Sequence, residues 1–273
     1  MNNLEPLKTF AKNAKNTDRK LPVIFIGHGN PMNALGNNEY YEAWQHLGEN
    51  LPRPQAILCV SAHWETLGTM VTAMDKPKTI HDFYGFPKKL FDVEYPAPGS
   101  PEFATLTQKT VKSFPISDDF DWGIDHGTWS VIKPMFPKAD IPVFQLSLDR
   151  LKSPSLHFEL AKELKMLRNK GVLIVGSGNI VHNLRTADLS TDAGYDWAIE
   201  FDEKVKDLIN KNDLKSLVDY QNLGNIANMS IPTNEHYLPL LYILAVKENV
   251  EQPEFFTEKV TAGSLSMRSV IFG

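Results

Sequence analysis

Cysteine is almost absent from this chain. Of 273 residues only Cys59 is cysteine, so no intrachain disulfide can form and a four-cysteine zinc site is excluded. Long apolar runs are missing too. None exceeds roughly ten residues, too short to cross a bilayer. The opening MNNLEPLKTFAKNAKNTDRK has neither an apolar h-region nor a small-residue cleavage site, so the reducing cytoplasm is the expected location. Basic charge is not in excess. Lys and Arg number 28 against 33 Asp and Glu, a net charge of −5. That balance excludes the footprint of a general nucleic-acid binder and a polybasic membrane anchor. There is no internal repeat and no low-complexity tract.

What is present suffices for a packed core. Hydrophobic residues make up 42% and aromatics 10%, which rules out global disorder. The polar stretch 1–20 reads as a mobile arm or a short surface helix, and 21–273 as a single compact domain. The runs Pro22–Gly27, Ala56–Ser61, Thr69–Met74, Pro142–Leu148 and Gly171–Gly176 are short and rich in β-branched residues. Nearly continuous apolar runs fit strands buried on both faces. Helical stretches are expected at Glu39–Leu47, Ser100–Phe114, Ser153–Lys170, Asp192–Asn212 and Glu235–Val246, with Ser264–Phe272 as a late strand. Strands alternating with helices predict an α/β fold: a mainly parallel or mixed central sheet flanked by helices.

With cysteine so scarce, a transition-metal site must be built mostly from histidine and carboxylate. His28 directly follows VIFIG, His63 follows AILCVS, and His182 lies a few residues past GVLIVG. Ligands of open α/β sheets bind outside the carboxyl ends of the strands, so parallel neighbours would bring three imidazoles to one sheet edge. One histidine after a strand is ordinarily a hydrogen-bonded loop or core residue; coincidence explains three less well. His236 opens the apolar helix HYLPLLYILAV, where Pro239 fits the first turn. His46 and His157 are expected on helix surfaces. His81 (TIHDFYGFP) and His126 (WGIDHGTW) sit in aromatic-rich segments, equally compatible with a pocket for a flat ring and with a loop pinned by its own tryptophans. Gly176-Ser177-Gly178 matches neither phosphate-loop spacing nor G-x-S-x-G, so its glycines are read as room for a tight backbone. Cys59, inside an apolar strand, reads as inert core.

The segments Gly27-His28-Gly29-Asn30-Pro31-Met32, Ser61-Ala62-His63-Trp64, His81-Asp82-Phe83-Tyr84-Gly85-Phe86-Pro87, Tyr95-Pro96-Ala97-Pro98-Gly99, Asp125-His126-Gly127-Thr128-Trp129, Ser177-Gly178-Asn179-Ile180-Val181-His182-Asn183-Leu184 and Glu235-His236-Tyr237-Leu238-Pro239-Leu240 occur in this order. Together they resemble the class III extradiol ring-cleavage dioxygenases, in particular the 4,5-DOPA branch, over Leu21 to Gly273. The resemblance implies a metal held by His28, His63 and His236 at the C-terminal ends of strands. It implies His182 as acid–base catalyst, near enough to become a fourth ligand. It also implies His126 as a second pocket histidine that helps hold substrate or oxygen, and His81 facing the pocket. The implied partners are a catechol-type, DOPA-like aromatic and O2, without nucleic acid or membrane; a homodimer is compatible with the sequence. Many extradiol enzymes use two histidines and a carboxylate. Here Glu235 precedes His236, and adjacent helical residues point about 100° apart, so one of the two is expected to face the metal, and the DOPA-branch pattern favours His236. Fe(II) is the expected catalytic metal. Three neutral imidazoles also resemble a tetrahedral zinc site with one open position, so Zn(II) is expected in purified protein. A zinc-dependent hydrolase and a non-enzymatic metal-containing binding protein of the same superfamily are the alternatives.

Overall fold

The apolar runs become neighbouring strands. The computed structural model describes residues 20–36 and 38–273; the arm expected over residues 1–20 lies outside them except for Lys20. Its strands are β1 (Val23–Gly27), β2 (Ala56–Thr66), β3 (Thr69–Thr72), β4 (Ile116–Asp119), β5 (Val143–Asp149), β6 (Val172–Gly178), β7 (Glu254–Phe256), β8 (Val260–Thr261), β9 (Leu265–Ser266) and β10 (Ser269–Phe272). Eight of them form one sheet in the order β4-β3-β5-β2-β6-β1-β10-β7, while β8 and β9 pair separately. The centre is parallel: β5, β2, β6 and β1 run the same way. Antiparallel pairs β1–β10, β10–β7 and β3–β5 make the sheet mixed.

Every residue of β1, β5 and β6 is buried, because helices cover both faces. Side chains alternate across a strand. Val23 and Phe25 therefore join the core beneath α5 (Pro154–Leu164), α6 (Asp196–Asn210) and α9 (Leu238–Val246), while Ile24 and Ile26 join the core beneath α1 (Glu39–Asn50) and α4 (His126–Met135). The remaining α-helices among the described residues are α2 (Lys88–Phe91), α3 (Pro101–Thr110), α7 (Leu214–Val218) and α8 (Asn225–Ser230). Ser100 and Ser153 cap α3 and α5 ahead of their prolines, as Ser-Pro predicts.

Several expectations need correction. His157 is not on a helix surface: it is fully buried, with Nδ1 2.9 Å from Tyr242 Oη and Nε2 3.2 Å from the Asp149 carbonyl. His126 is not in a loop; it opens α4, and the Asp125 side chain caps that helix by accepting from Thr128 N–H. Ser264–Phe272 divides into β9 and β10. β4 and β7 escape a hydropathy reading, since Ile116–Asp119 carries two aspartates and Glu254–Phe256 has three residues.

Candidate metal centre

Strand register sets the site. Gly27 of β1 pairs with Gly178 of β6, and Ser61 of β2 pairs with Ser177. Three parallel strands thus end at one level, and the residues beyond that level project from one edge. His28 is the next residue after β1. His63 gets there differently. It lies within β2, where the ladder with β5 pairs Val60 with Leu146 and then Glu65 with Leu148. Ser61–Trp64 therefore stand opposite Ser147 alone, and such a bulge re-aims side chains. His182 follows β6 in a loop pinned by a bridge to Leu265 and by its N–H on the Ser230 carbonyl.

His236 comes from the turn before α9, which lies unusually close to β6. A Cβ on Gly176 would meet the Pro239 carbonyl oxygen at 2.5 Å, and one on Gly178 would meet that of His236 at 2.1 Å. The two glycines serve close approach of the helix rather than a tight turn of their own strand. Asn179 N–H then donates to the His236 carbonyl at 2.8 Å, fixing the turn over the strand end.

Four distant segments thus converge. Ring centroids are 5.0 Å apart for His28–His63, 5.4 Å for His28–His236 and 5.1 Å for His63–His236. His126 lies 3.8 Å from His63, and His182 stacks on His236. Two groups of donor atoms lie close enough to hold an ion: His28, His63 and His126; and His182, Glu235 and His236.

The Nδ1 atoms are held from behind. Ser177 Oγ donates its one hydrogen to the Gly127 carbonyl, so at 3.0 Å it accepts from His28 Nδ1. Glu235 Oε1 sits 2.9 Å from His236 Nδ1. Both imidazoles therefore present a bare Nε2, the arrangement that outer partners impose on metal-binding histidines. His236 Nε2 is buried without a partner among the described residues. His28 Nε2 faces His63 Nε2 at 3.2 Å, close to the ~3.3 Å between two nitrogens bound tetrahedrally to one ion at about 2.0–2.1 Å. Two lone pairs at that distance repel unless a cation or proton lies between them. The donor set fits a mononuclear transition-metal ion.

Burial dominates the electrostatics. It pushes the pKa of His28 and His236 well below the usual histidine value, and neighbouring imidazoles add to the effect. His63 falls to about 3 through burial and then His126, against the pull of Asp82. His182 falls to about 4, again through burial, with Glu235 opposing. All four are neutral at pH 7, the state that ligates metal or accepts a proton.

The imidazoles open into a cleft of about 400 Å³. His28, His63, His126, His182 and His236 line it together with Phe83, Phe86, Leu184 and Leu189. His81 does not reach it. Its Nε2 lies 2.9 Å from the Val93 carbonyl and its ring packs against Phe83, Phe91 and Trp129. Its neighbour Asp82 faces the cleft instead. The expectation for Glu235 also changes. It sits in a turn, not a helix, and its carboxylate folds back onto His236 Nδ1 while lining a separate polar pocket.

The sequence assigns no role to Asp82 or Asp125, and it reads Ser177 only within Gly176-Ser177-Gly178, without its hold on His28. Asp82 and Asp125 flank histidines already singled out, and that adjacency was the available signal. Buried Asp125 accepts from Ser61 Oγ, Thr128 N–H and Gln145 Nε2 at 2.7–2.9 Å. Burial and Asp82 raise its carboxyl pKa, and the hydrogen bonds from Gln145 and Ser61 oppose the rise.

A cluster of neutral imidazoles at the strand ends of a mixed α/β sheet, open to an aromatic-lined cleft, has the make-up of a metal-dependent enzyme, and the chain belongs to the family of the catalytic LigB subunit of aromatic ring-opening dioxygenase, which residues 23–273 match. It is 47% identical over 262 residues to the 4,5-DOPA dioxygenase extradiol of Escherichia coli (strain K12), covering 93% of this chain and 95% of that one. It is 32% identical over 257 residues to the protein of the same name from Beta vulgaris, covering 92% and 96%. The crystal structure of an uncharacterized protein from Escherichia coli K12 superposes with a TM-score of 0.81 at 44% identity, covering 93% of this chain and 100% of that one. Among the described residues no helix is long and apolar enough to cross a membrane.

Proposed function

We propose that this protein opens a catechol ring next to its hydroxyl pair, inserting both atoms of O2, at a single non-haem metal ion held by His28, His63 and His236. The observation that carries the reading is the convergence of their three rings, with centroids 5.0–5.4 Å apart, the Nε2 atoms of His28 and His63 3.2 Å apart, and the Nδ1 atoms of His28 and His236 held from behind. Iron(II) is the metal proposed for turnover, and zinc the metal proposed to accompany purification, since zinc is generally bound more tightly by such ligands. When bound, iron supplies Lewis acidity toward the catechol oxygens and the redox capacity that O2 chemistry needs.

The chain's own groups supply the rest. His182, neutral and on the cleft wall, takes a proton from a catechol hydroxyl and returns it as the ring opens; imidazole suits both directions near neutral pH. His126 lines the cleft beside His63 and holds the oxygen-bearing edge of the substrate. Phe83 and Phe86, packed edge to face at 5.3 Å, give the ring an apolar wall and keep water from the reacting carbons. The relatives' name points to a catechol with a DOPA-like side chain as the substrate class.

The test is anaerobic loading with Fe(II), then addition of oxygen and a panel of catechols. The expected result is a yellow ring-opened semialdehyde with one O2 consumed per ring. Absence of such product across the panel would defeat the proposal, and hydrolysis by the zinc form would replace it.

A further inference from the structure

We propose that a second cavity, on the far side of Leu189 from the imidazoles, receives the substituent of the catechol and selects one that ends in an ammonium. The inference rests on the catechol reading above and adds which catechol fits.

The second cavity measures about 330 Å³ and shares Asn30, Leu189 and Leu265 with the catalytic cleft. The two differ in character. Beyond its imidazoles the cleft has the apolar walls Phe83, Phe86 and Leu184, whereas Asn33, Tyr40, Thr191 and Asp192 wall the second cavity. A catechol seated at the imidazoles thus has an apolar space for its ring and a polar one beside it for its substituent. Leu189 belongs to both walls and is 76% exposed. A ligand reaching from one cavity into the other covers it, and burying that apolar surface favours binding.

Charge selects the substituent. Among the described residues neither lining includes a lysine or an arginine. Asp192 is the carboxylate of the second cavity. It accepts from Thr261 Oγ1 at 2.9 Å and from Lys259 Nζ, and Lys259 also pairs with Glu39 at 3.2 Å. Two carboxylates therefore share one ammonium, which leaves one negative charge in excess. Lys259 and Thr261 also hold the Asp192 carboxyl below its usual range, so it stays ionised. Such a carboxylate has about four lone-pair sites, and Asp192 keeps room for a second cation. Tyr40 adds an unspent group to the same wall: its hydroxyl is buried without a partner among the described residues, whereas buried polar groups ordinarily have one. An ammonium brings three donors and offsets the excess charge. A carboxylate meets like charge, from Asp192 here and from Asp82 in the cleft.

The test is anaerobic calorimetry on the Zn(II)-loaded protein, which reads binding without turnover. The probes are 4-ethylcatechol, dopamine, L-DOPA and 3,4-dihydroxyhydrocinnamate, which share a catechol and differ in terminal charge. Dopamine and L-DOPA should bind about tenfold tighter than 4-ethylcatechol, and 3,4-dihydroxyhydrocinnamate about tenfold weaker, the scale of one charge-assisted contact made or opposed. Asp192 is exposed, so Asp192→Asn spares the fold while removing the excess charge, and the advantage of dopamine over 4-ethylcatechol should fall toward unity. High salt should shrink the same ratio in wild type. Equal wild-type affinity for dopamine and 4-ethylcatechol overturns the inference and leaves the catechol reading standing. So does a preference that survives Asp192→Asn undiminished. Binding of none of the four overturns the catechol reading, and this subsite with it.

Discussion

The imidazoles of His182 and His236 stack face to face, with centroids 3.4 Å apart and planes 7° from parallel. The two rings are held differently. His236 has Nδ1 on Glu235, whereas the ring nitrogens of His182 make no hydrogen bond among the described residues. One ring is fixed as a donor of its Nε2 lone pair. The other touches it yet has no imposed tautomer, which suits a group that takes and returns a proton.

His182→Gln should therefore separate chemistry from metal binding. Turnover is expected to fall by about 10²–10⁴-fold, the usual contribution of a positioned acid–base group, while metal content stays at the wild-type level. Elemental analysis and kcat on the same preparation check it. Loss of metal in parallel with turnover would make His182 a ligand instead.

His28→Ala should do the reverse and abolish stoichiometric metal. Its ring stands against both His63 and His236, so its removal opens one corner of the set. A strong chelator should likewise abolish turnover of wild type, with Fe(II) restoring it and Zn(II) not. Metal should also raise the thermal midpoint of wild type, because an ion that binds only the folded state stabilises it by mass action. An unchanged midpoint would argue against a preformed site.

Much of this was legible in the sequence because period and position carry it. The buried strands read as apolar runs, and His28 and His182 follow two of them closely. The apolar run puts His63 after its strand, whereas it belongs to the strand's bulge; hydropathy does not encode a bulge. His157 looked like a helix surface residue because its partners, the Tyr242 hydroxyl and the Asp149 carbonyl, are 85 and 8 residues away. Residue type alone does not say which of the neighbours His81 and Asp82 turns toward the cleft, and it is Asp82 that does.

Gly127→Ala tests how tightly the fold sets His63. A Cβ there would lie 2.5 Å from Ser61 Oγ and 2.7 Å from His63 Cδ2. Alanine favours a helix by about 1 kcal/mol over glycine, so the start of α4 gains locally. Overpacking of this kind typically costs about 1–3 kcal/mol, and the atoms pushed belong to the site. The expected outcome is a folded protein, destabilised by roughly 1–2 kcal/mol, with turnover down about 10²-fold as for a displaced catalytic array. Denaturant unfolding beside kcat/KM checks it, and wild-type kinetics would show that His63 tolerates displacement.

His157 lets the pH dependence of stability be assigned to one ring outside the site. Burial lowers its pKa from 6.5 to about 4, with the Asp149 carbonyl opposing. The ring is neutral in the fold, whereas the unfolded chain takes up a proton near pH 6.5. The native state therefore binds fewer protons between those values, and stability must fall as pH drops through that window. The slope from one such group is at most about 1.4 kcal/mol per pH unit. His157→Asn removes it. The variant should be less stable at pH 7, by about 1–3 kcal/mol, because Tyr242 and Asp149 lose a well-placed partner. Its decline on acidification should be shallower, so the gap to wild type narrows from pH 7 toward pH 4.5. The cluster imidazoles titrate in both proteins and cancel in the difference, provided both are metal-free. Urea unfolding at half-unit pH steps measures the gap, and a constant gap across the window would mean that His157 is not held neutral by the fold.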